Sequence, residues 1–273
     1  MPEVPAQPLD VGRPEWGRVF VVPWDTDVFG FPVAVYEPGD ADALGGSLKA
    51  FGERLLGWAS EHRVELVSCA VAADDRSWRA RLPVLGFTVV EQTLDVRFRV
   101  QAYTASPPRR PVRLATADDH AQIEEIAGHT FRHGRYHADP RFPLALADRR
   151  YRHWIRSALT SADPADRVYV VGPPGGVKGF FQLRLVDDRA EVGIIGVTES
   201  AKGSSAGLQL MTGAQLELKA LGVRWITSKL SAGNTRIMNT VAHLGWRFRN
   251  ARATFHWHAP DAPHLLPRET SLG

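Results

Sequence analysis

Apolar residues recur at helical spacing at Leu44, Leu48, Phe51, Leu55 and Trp58, which predicts a helix over 41–62. Short apolar runs rich in β-branched residues predict strands at 19–22, 31–36 and 64–71, and 87–100 alternates as a long strand after a helix at 76–85. The first two strands bracket a polar stretch, Trp24-Asp25-Thr26-Asp27-Val28-Phe29-Gly30. A second series begins after the Pro107-Pro108 pair. It predicts a strand at 112–115, a helix from 118 or 119 to about 130, a loop, and a helix over 145–159. Strands at 168–171, 178–186 and 190–197 follow, then a helix up to 221, a strand at 223–230, a helix at 235–244 and a strand at 246–258.

The two series close alike. A helix runs into Leu85-Gly86-Phe87 in the first and into Leu244-Gly245-Trp246 in the second, and each time a long strand follows. That recurrence suggests a duplicated unit of mixed α and β structure. The divisions are an extended lead-in at 1–16, a first domain at 17–101, a linker at 102–111, a second domain at 112–258 and a tail at 259–273.

Within the second series, the strand ending at Val197 leads through a polar turn into Lys202-Gly203-Ser204-Ser205-Ala206-Gly207 and a helix carrying Leu208 and Met211. A helix start leaves backbone N–H groups unpaired and carries partial positive charge, and small residues let a phosphate approach it. The same residues also suit a tightly packed helix start. No Gly-Lys-Ser/Thr closes the turn, and it lacks a Gly-x-Gly-x-x-Gly fingerprint. The matching turn of the first series, Glu37-Pro38-Gly39-Asp40-Ala41-Asp42, is acidic and repels phosphate.

Composition narrows the classes. A hydrophobic share of 44% suits a globular chain, and a formal charge of +3 with dispersed arginines suits anionic small molecules better than nucleic acid. A single cysteine, Cys69, excludes an internal disulfide and fits a reducing cytoplasm, where it packs as a small hydrophobe. Neither a leader nor a membrane-spanning run is expected. His129, His133 and His137 share i, i+4 spacing, but Gly134 and the loop composition around them do not make a zinc pattern, so no metal is expected.

On the turn at 202–207, Asn234 and Gly245-Trp246, residues 112–258 resemble the GCN5-related N-acetyltransferases (GNATs), whose turn reads Arg/Gln-x-x-Gly-x-Gly/Ala. Lys202 and Ser205 depart from that turn. The segments 24–30, Leu85-Gly86-Phe87 with Glu91, and 131–142 followed by Tyr151 and Trp154-Ile155 are similar to the dTDP-fucosamine N-acetyltransferase group. The resemblance implies an α+β fold of two tandem GNAT-like domains. Each is a twisted, mixed, mostly antiparallel sheet flanked by helices, and the N-terminal copy is degenerate.

The resemblance also implies acetyl-CoA, or another acyl-CoA, as co-substrate. Ile195, Gly196 and Val197 would pair with its pantetheine arm, and a backbone N–H at Ile195 would take the thioester oxygen. Lys202 and Gly203, Ser204, Ser205, Ala206, Gly207 and Leu208 would hold the pyrophosphate, and Asn234 would contact the pantetheine. Glu91 is the candidate base, a solvated strand residue being the other reading, with Gln92 and Asp95 equally placed on the same strand. Arg135, Tyr136 and His137, with Tyr151 and Trp154, are the candidate acceptor residues, a packed surface turn being the other reading of the Arg135 block.

The tyrosine expected seven residues after Asn234 is replaced by Val241, which cannot protonate a leaving thiolate. Either the thiolate leaves unaided, or a hydroxyl such as Ser231 or Thr235 substitutes, or the chain binds without transferring. The reading is an acyl-CoA-dependent N-acyltransferase acting directly on the amino group of a nucleotide-linked amino sugar or related metabolite. Its alternatives are a natural-product amine or carrier-linked acceptor, and an inert acyl-CoA or nucleotide binder. The partner is a small-molecule amine, with no nucleic acid and no membrane, and a homodimer is compatible with it.

Overall fold

A computed structural model of the chain describes residues 9–10, 16–42, 48–102 and 112–265. Most of the lead-in at 1–16, the linker beyond Ala102, residues 43–47 of the first expected helix and the tail from 266 lie outside the described residues.

The chain forms two compact units. Unit 1 comprises Met1–Thr93, His133–Arg150 and Asn250–Gly273, and unit 2 comprises Leu94–Arg132 and Tyr151–Arg249. They do not follow the sequential division at 101 and 112, because three elements begin in one unit and end in the other. A reading by neighbouring residues has no means of seeing such an exchange.

In chain order the first elements are β1 (Leu9–Asp10), β2 (Gly17–Val21), α1 (Pro23–Phe29), β3 (Val33–Pro38), α2 (Leu48–Glu61), β4 (Leu66–Ala72), α3 (Arg76–Val84) and β5 (Thr88–Arg99). Then come β6 (Val112–Leu114), α4 (His120–Thr130), α5 (Arg135–Ala138), α6 (Leu144–Leu159), β7 (Asp166–Val171), β8 (Gly179–Val186) and β9 (Arg189–Val197). The last are α7 (Ala206–Ala220), β10 (Trp225–Ser231), α8 (Thr235–His243) and β11 (Arg247–His258). β5, α6 and β11 are the elements that change unit.

Unit 1 orders its strands β1-β2-β3-β4-β11-β5. β3 and β4 are parallel from Val33↔Leu66 to Tyr36↔Cys69, and β11 returns antiparallel on β4 from Arg252↔Ala72 to His258↔Leu66. One face is covered by Phe51, Leu55, Trp78 and Leu82 from α2 and α3. The other is covered by Val28 and Phe29 of α1 with Tyr136, Phe142 and Ala147. Cys69 lies in the first of these cores, and burial pushes its thiol pKa up.

Unit 2 orders its strands β11-β5-β10-β9-β8-β7-β6. β6 to β9 are antiparallel neighbours, and β9 and β10 are parallel. α7 packs Leu210, Met211, Ala214 and Leu218 on one face, and α4 and α6 pack Ile123, Ile126 and Ile155 on the other. Each unit is therefore a mixed sheet between helices. Among the described residues no helix is long and apolar enough to cross a membrane.

Two stretches given no helix in the sequence are helical. Residues 23–29 form α1, with Pro23 at its start and Gly30 ending it at φ 84°. Polar composition hides this helix, since Asp25 is buried rather than solvated. Arg135–Ala138 forms one helical turn within the loop expected after α4.

Candidate functional site

The site is built where two parallel strands part. β9 and β10 pair from Arg189↔Trp225 to Val192↔Ser228, after which β9 runs on to Val197 and β10 to Ser231. Beyond Val192 the β10-facing edge of β9 has no ladder partner among the described residues. Its other edge stays on β8 as far as Val197↔Gly179. At the parting point Gly193 bulges, because Val192 pairs with Leu183 and Ile194 with Gln182. A larger residue there would displace its neighbours. A Cβ would collide with Gln182 Oε1 and lie 2.9 Å from Trp154 Cζ2.

The opening is a cleft of about 360 Å³. Ile195, Gly196 and Val197 of β9, Gly203, Ser204, Gly207 and Leu208 at the start of α7, and Asn234 before α8 all line it. α7 has Ser205 as its N-cap, and the Gln209 amide is the first to bond back to it, so the amides of Gly207 and Leu208 have no acceptor within the helix, and both residues line the cleft. The α7 dipole adds positive potential at that end. Ser205 and Ala206 face a neighbouring cavity of about 390 Å³ with Lys178, Ser200 and Gln209. The Lys202 ammonium is ion-paired with Glu199 at 2.5 Å, and its side chain lines neither cavity.

No family model matches the chain, and no curated protein matches it. Solved structures do. A GCN5-related N-acetyltransferase from Kribbella flavida superposes with a TM-score of 0.62 at 14% identity, over 95% of this chain and 92% of that one. A GCN5-related N-acetyltransferase from Sphaerobacter thermophilus gives 0.62 at 13% identity, over 89% and 76%. A tandem GNAT protein from the clavulanic acid biosynthesis pathway gives 0.56 at 15% identity, over 85% and 77%. The chain has the GNAT fold.

On that GNAT frame, Asn234 is the N-cap of α8, its Oδ1 accepting the Ile237 amide at 3.2 Å. Val241 is 1% exposed and belongs to the apolar core with Trp246. Thr240, one position earlier, does line the cleft, together with Ile237 and Arg236, and its hydroxyl donates to the Arg236 carbonyl at 2.9 Å. Thr130 also reaches the cleft, with its Oγ1 2.7 Å from the Ile126 carbonyl and 3.3 Å from that of Val197. Sequence reasoning missed Thr130, Arg236 and Thr240. Only the helical offset from Asn234 could have flagged the last two. Ser231 closes β10 and accepts the Asn234 amide on its carbonyl, with its hydroxyl off the cleft wall. Thr235 is exposed at the start of α8 and also lies off that wall.

The acceptor candidates divide between the units. Tyr151 and Trp154 of α6 belong to unit 2. Phe131 and Tyr151 stack at 4.2 Å, Tyr151 and Trp154 lie parallel at 6.4 Å, and Trp154 stands over Gly193 where the strands part. Glu91, Arg135, Tyr136 and His137 belong to unit 1.

Tyr136 is buried there, its hydroxyl donating to Asp25 Oδ2 at 2.7 Å while Arg150 Nε donates to Asp25 Oδ1 at 2.7 Å. The Arg135 guanidinium sits 4.8 Å over the Tyr136 ring and 3.5 Å from Asp25. Burial works to raise the Asp25 pKa, but Arg150, Arg135 and the Tyr136 hydrogen bond outweigh it and hold the carboxyl below its ordinary range. Burial, joined by the Asp25 charge, pushes Tyr136 up to about 12. The ring packs on Phe29 at 4.9 Å and Phe142 at 4.7 Å. This is the geometry of a packed turn. His137 Nε2 lies 2.9 Å from Asp148 Oδ1. Glu91 is half-buried on β5, within electrostatic range of Arg135.

Proposed function

We propose that the chain is an acyl-CoA-dependent N-acyltransferase, with acetyl-CoA as donor and a small-molecule amine as acceptor, the amino group of a nucleotide-linked amino sugar being the leading candidate. One observation carries this reading: β9 and β10 part into a cleft that ends at the α7 N-terminus. The free edge of β9 at Ile195 to Val197 suits a pantetheine amide arm added like a strand. The first-turn amides of α7 beside Gly203, Ser204 and Gly207 suit the pyrophosphate.

In this scheme the neutral amine attacks the thioester carbonyl carbon, and the backbone N–H at Ile195 stabilises the oxyanion. The C–S bond then breaks, coenzyme A leaves as thiolate, and the proton remaining on the acylated nitrogen passes to that thiolate or to water. A thiol pKa near 8.5 makes it a tolerable leaving group without a tyrosine at 241. Thr240 is the hydroxyl we favour to hydrogen-bond that sulfur, ahead of Ser231. The proton lost by the acceptor ammonium goes to a base, for which Glu91 is the candidate. Arg135, Tyr136 and His137 are assigned a supporting rather than a binding role, while Tyr151 and Trp154 are kept as acceptor contacts.

Calorimetry with acetyl-CoA and desulfo-CoA tests the donor, and absence of binding at millimolar ligand defeats the reading. Thiol release across an amine panel then tests transfer. Binding without release favours the inert binder, the second reading that the buried Val241 supports. Turnover on natural-product amines but not on amino-sugar nucleotides favours the acceptor class of the kind of pathway named for the tandem GNAT neighbour.

A further inference from the structure

We propose that Asp139, His256 and His258 of unit 1 form a binding site for one divalent transition-metal cation. His256 and His258 are two residues apart on β11, so their imidazoles project from one face of the strand. Asp139 ends the helical turn α5, where its carboxylate meets them. His256 Nδ1 and His258 Nε2 each lie 2.7 Å from Asp139 Oδ2. The three ligand-type atoms fall within 4.8 Å of one another, the only such group among the described residues.

Two imidazole nitrogens and one carboxylate oxygen make a donor set suited to zinc, with a fourth position left for water. The second oxygen of Asp139 accepts the Arg141 amide at 2.9 Å, which fixes the carboxylate as outer partners of metal ligands do.

Charge argues the same way. The side chains of Asp139 and His256 are fully buried and that of His258 is 6% exposed. Among the described residues no lysine or arginine is ion-paired with Asp139. The Arg141 guanidinium is spent on the Leu265 and Ala259 carbonyls. A buried carboxylate without a cation is costly.

The competing account is a carboxylate that merely accepts two imidazole N–H bonds. Zinc distances of about 2.0–2.2 Å imply donor separations of about 3.3 Å, so loading would open the trio by roughly half an ångström. The bound ion would clamp β11 onto the segment after α5. None of this depends on the acyltransferase reading.

The test uses the full chain stripped with EDTA and dialysed. Added zinc should bind at one equivalent and raise Tm by about 4 °C or more. Cobalt(II) should give the visible ligand-field bands of a four-coordinate nitrogen and oxygen site. His258→Gln should lose both responses, and His264→Gln, an exposed histidine elsewhere in unit 1, should keep them. No Tm response and no cobalt spectrum in the unaltered protein overturns the proposal. Zinc binding that survives His258→Gln overturns it as well, by marking an adventitious surface site.

Discussion

Helix α3 of unit 1 and helix α8 of unit 2 are built on one plan with opposite results. Asp75 caps α3 by accepting the Trp78 amide at 2.9 Å, and Asn234 caps α8 by accepting the Ile237 amide at 3.2 Å. Eleven residues after each cap stands a left-handed glycine, Gly86 at φ 84° and Gly245 at φ 81°. Each is followed by an aromatic whose amide bonds back five residues, Phe87 to Leu82 and Trp246 to Val241.

The third helical position is where they differ. Trp78 is 2% exposed, and its indole N–H donates at 2.8 Å to the carbonyl of Gly39, just after β3. The ring packs on Tyr36 at 5.7 Å and Phe51 at 5.9 Å. Ile237, in the matching place, is short enough to leave the cleft beside β9 open. One frame buries an indole at this position near an acidic turn, and the other keeps a slot beside a neutral turn of small residues. The lesson is that one shared frame carries either a filled core or an open cleft, depending on a few side chains.

Removing the indole should have the largest effect. Trp78→Ala is expected to cost about 3–5 kcal/mol of unit 1 stability, read by urea unfolding, without creating a second acetyl-CoA site. Transplanting the indole sharpens the contrast. Ile237→Trp should weaken acetyl-CoA binding about 100-fold or more in calorimetry, roughly 2.7 kcal/mol, while Tm stays near that of the unaltered protein.

A polar contact internal to unit 2 comes next. Hydrogen bonds from Arg113 at 2.6 and 2.9 Å hold the buried Asp119 carboxyl well below its ordinary pKa. A depressed pKa stabilises the fold above the unfolded value of about 3.9, and that contribution is lost as pH falls through the folded value. Asp119→Asn should therefore cost about 1–3 kcal/mol at neutral pH and flatten the stability profile below pH ~4. The smallest effect is expected from Asn234→Ala, about 1 kcal/mol from the lost cap, together with weaker acetyl-CoA binding. A loss in stability alone would leave Asn234 a cap and nothing more.

Most of the elements were legible because apolar period survives in a single sequence. The 85–87 and 244–246 endings were readable as one motif, and the structure repeats them bond for bond. α1 was not legible, because Asp25, Thr26 and Asp27 look solvated. What buries Asp25 is Arg150, far along the chain. The Arg135 block carried two readings, acceptor contact or packed turn, and the Asp25 contact supports the second. The passage of β5, α6 and β11 between units left no local trace. In the cleft, Ile195, Gly203 and Asn234 were candidates through the family resemblance, whereas Thr240 was not, since one residue on a helix turns the side chain by about 100°.

The most direct test of the central claim is a crystal structure with acetyl-CoA bound. The account predicts one coenzyme per chain in unit 2, its pantetheine along Ile195 to Val197 and its pyrophosphate at the α7 N-terminus. Coenzyme A bound in unit 1, or absent from the β9–β10 cleft at saturating concentration, would contradict it.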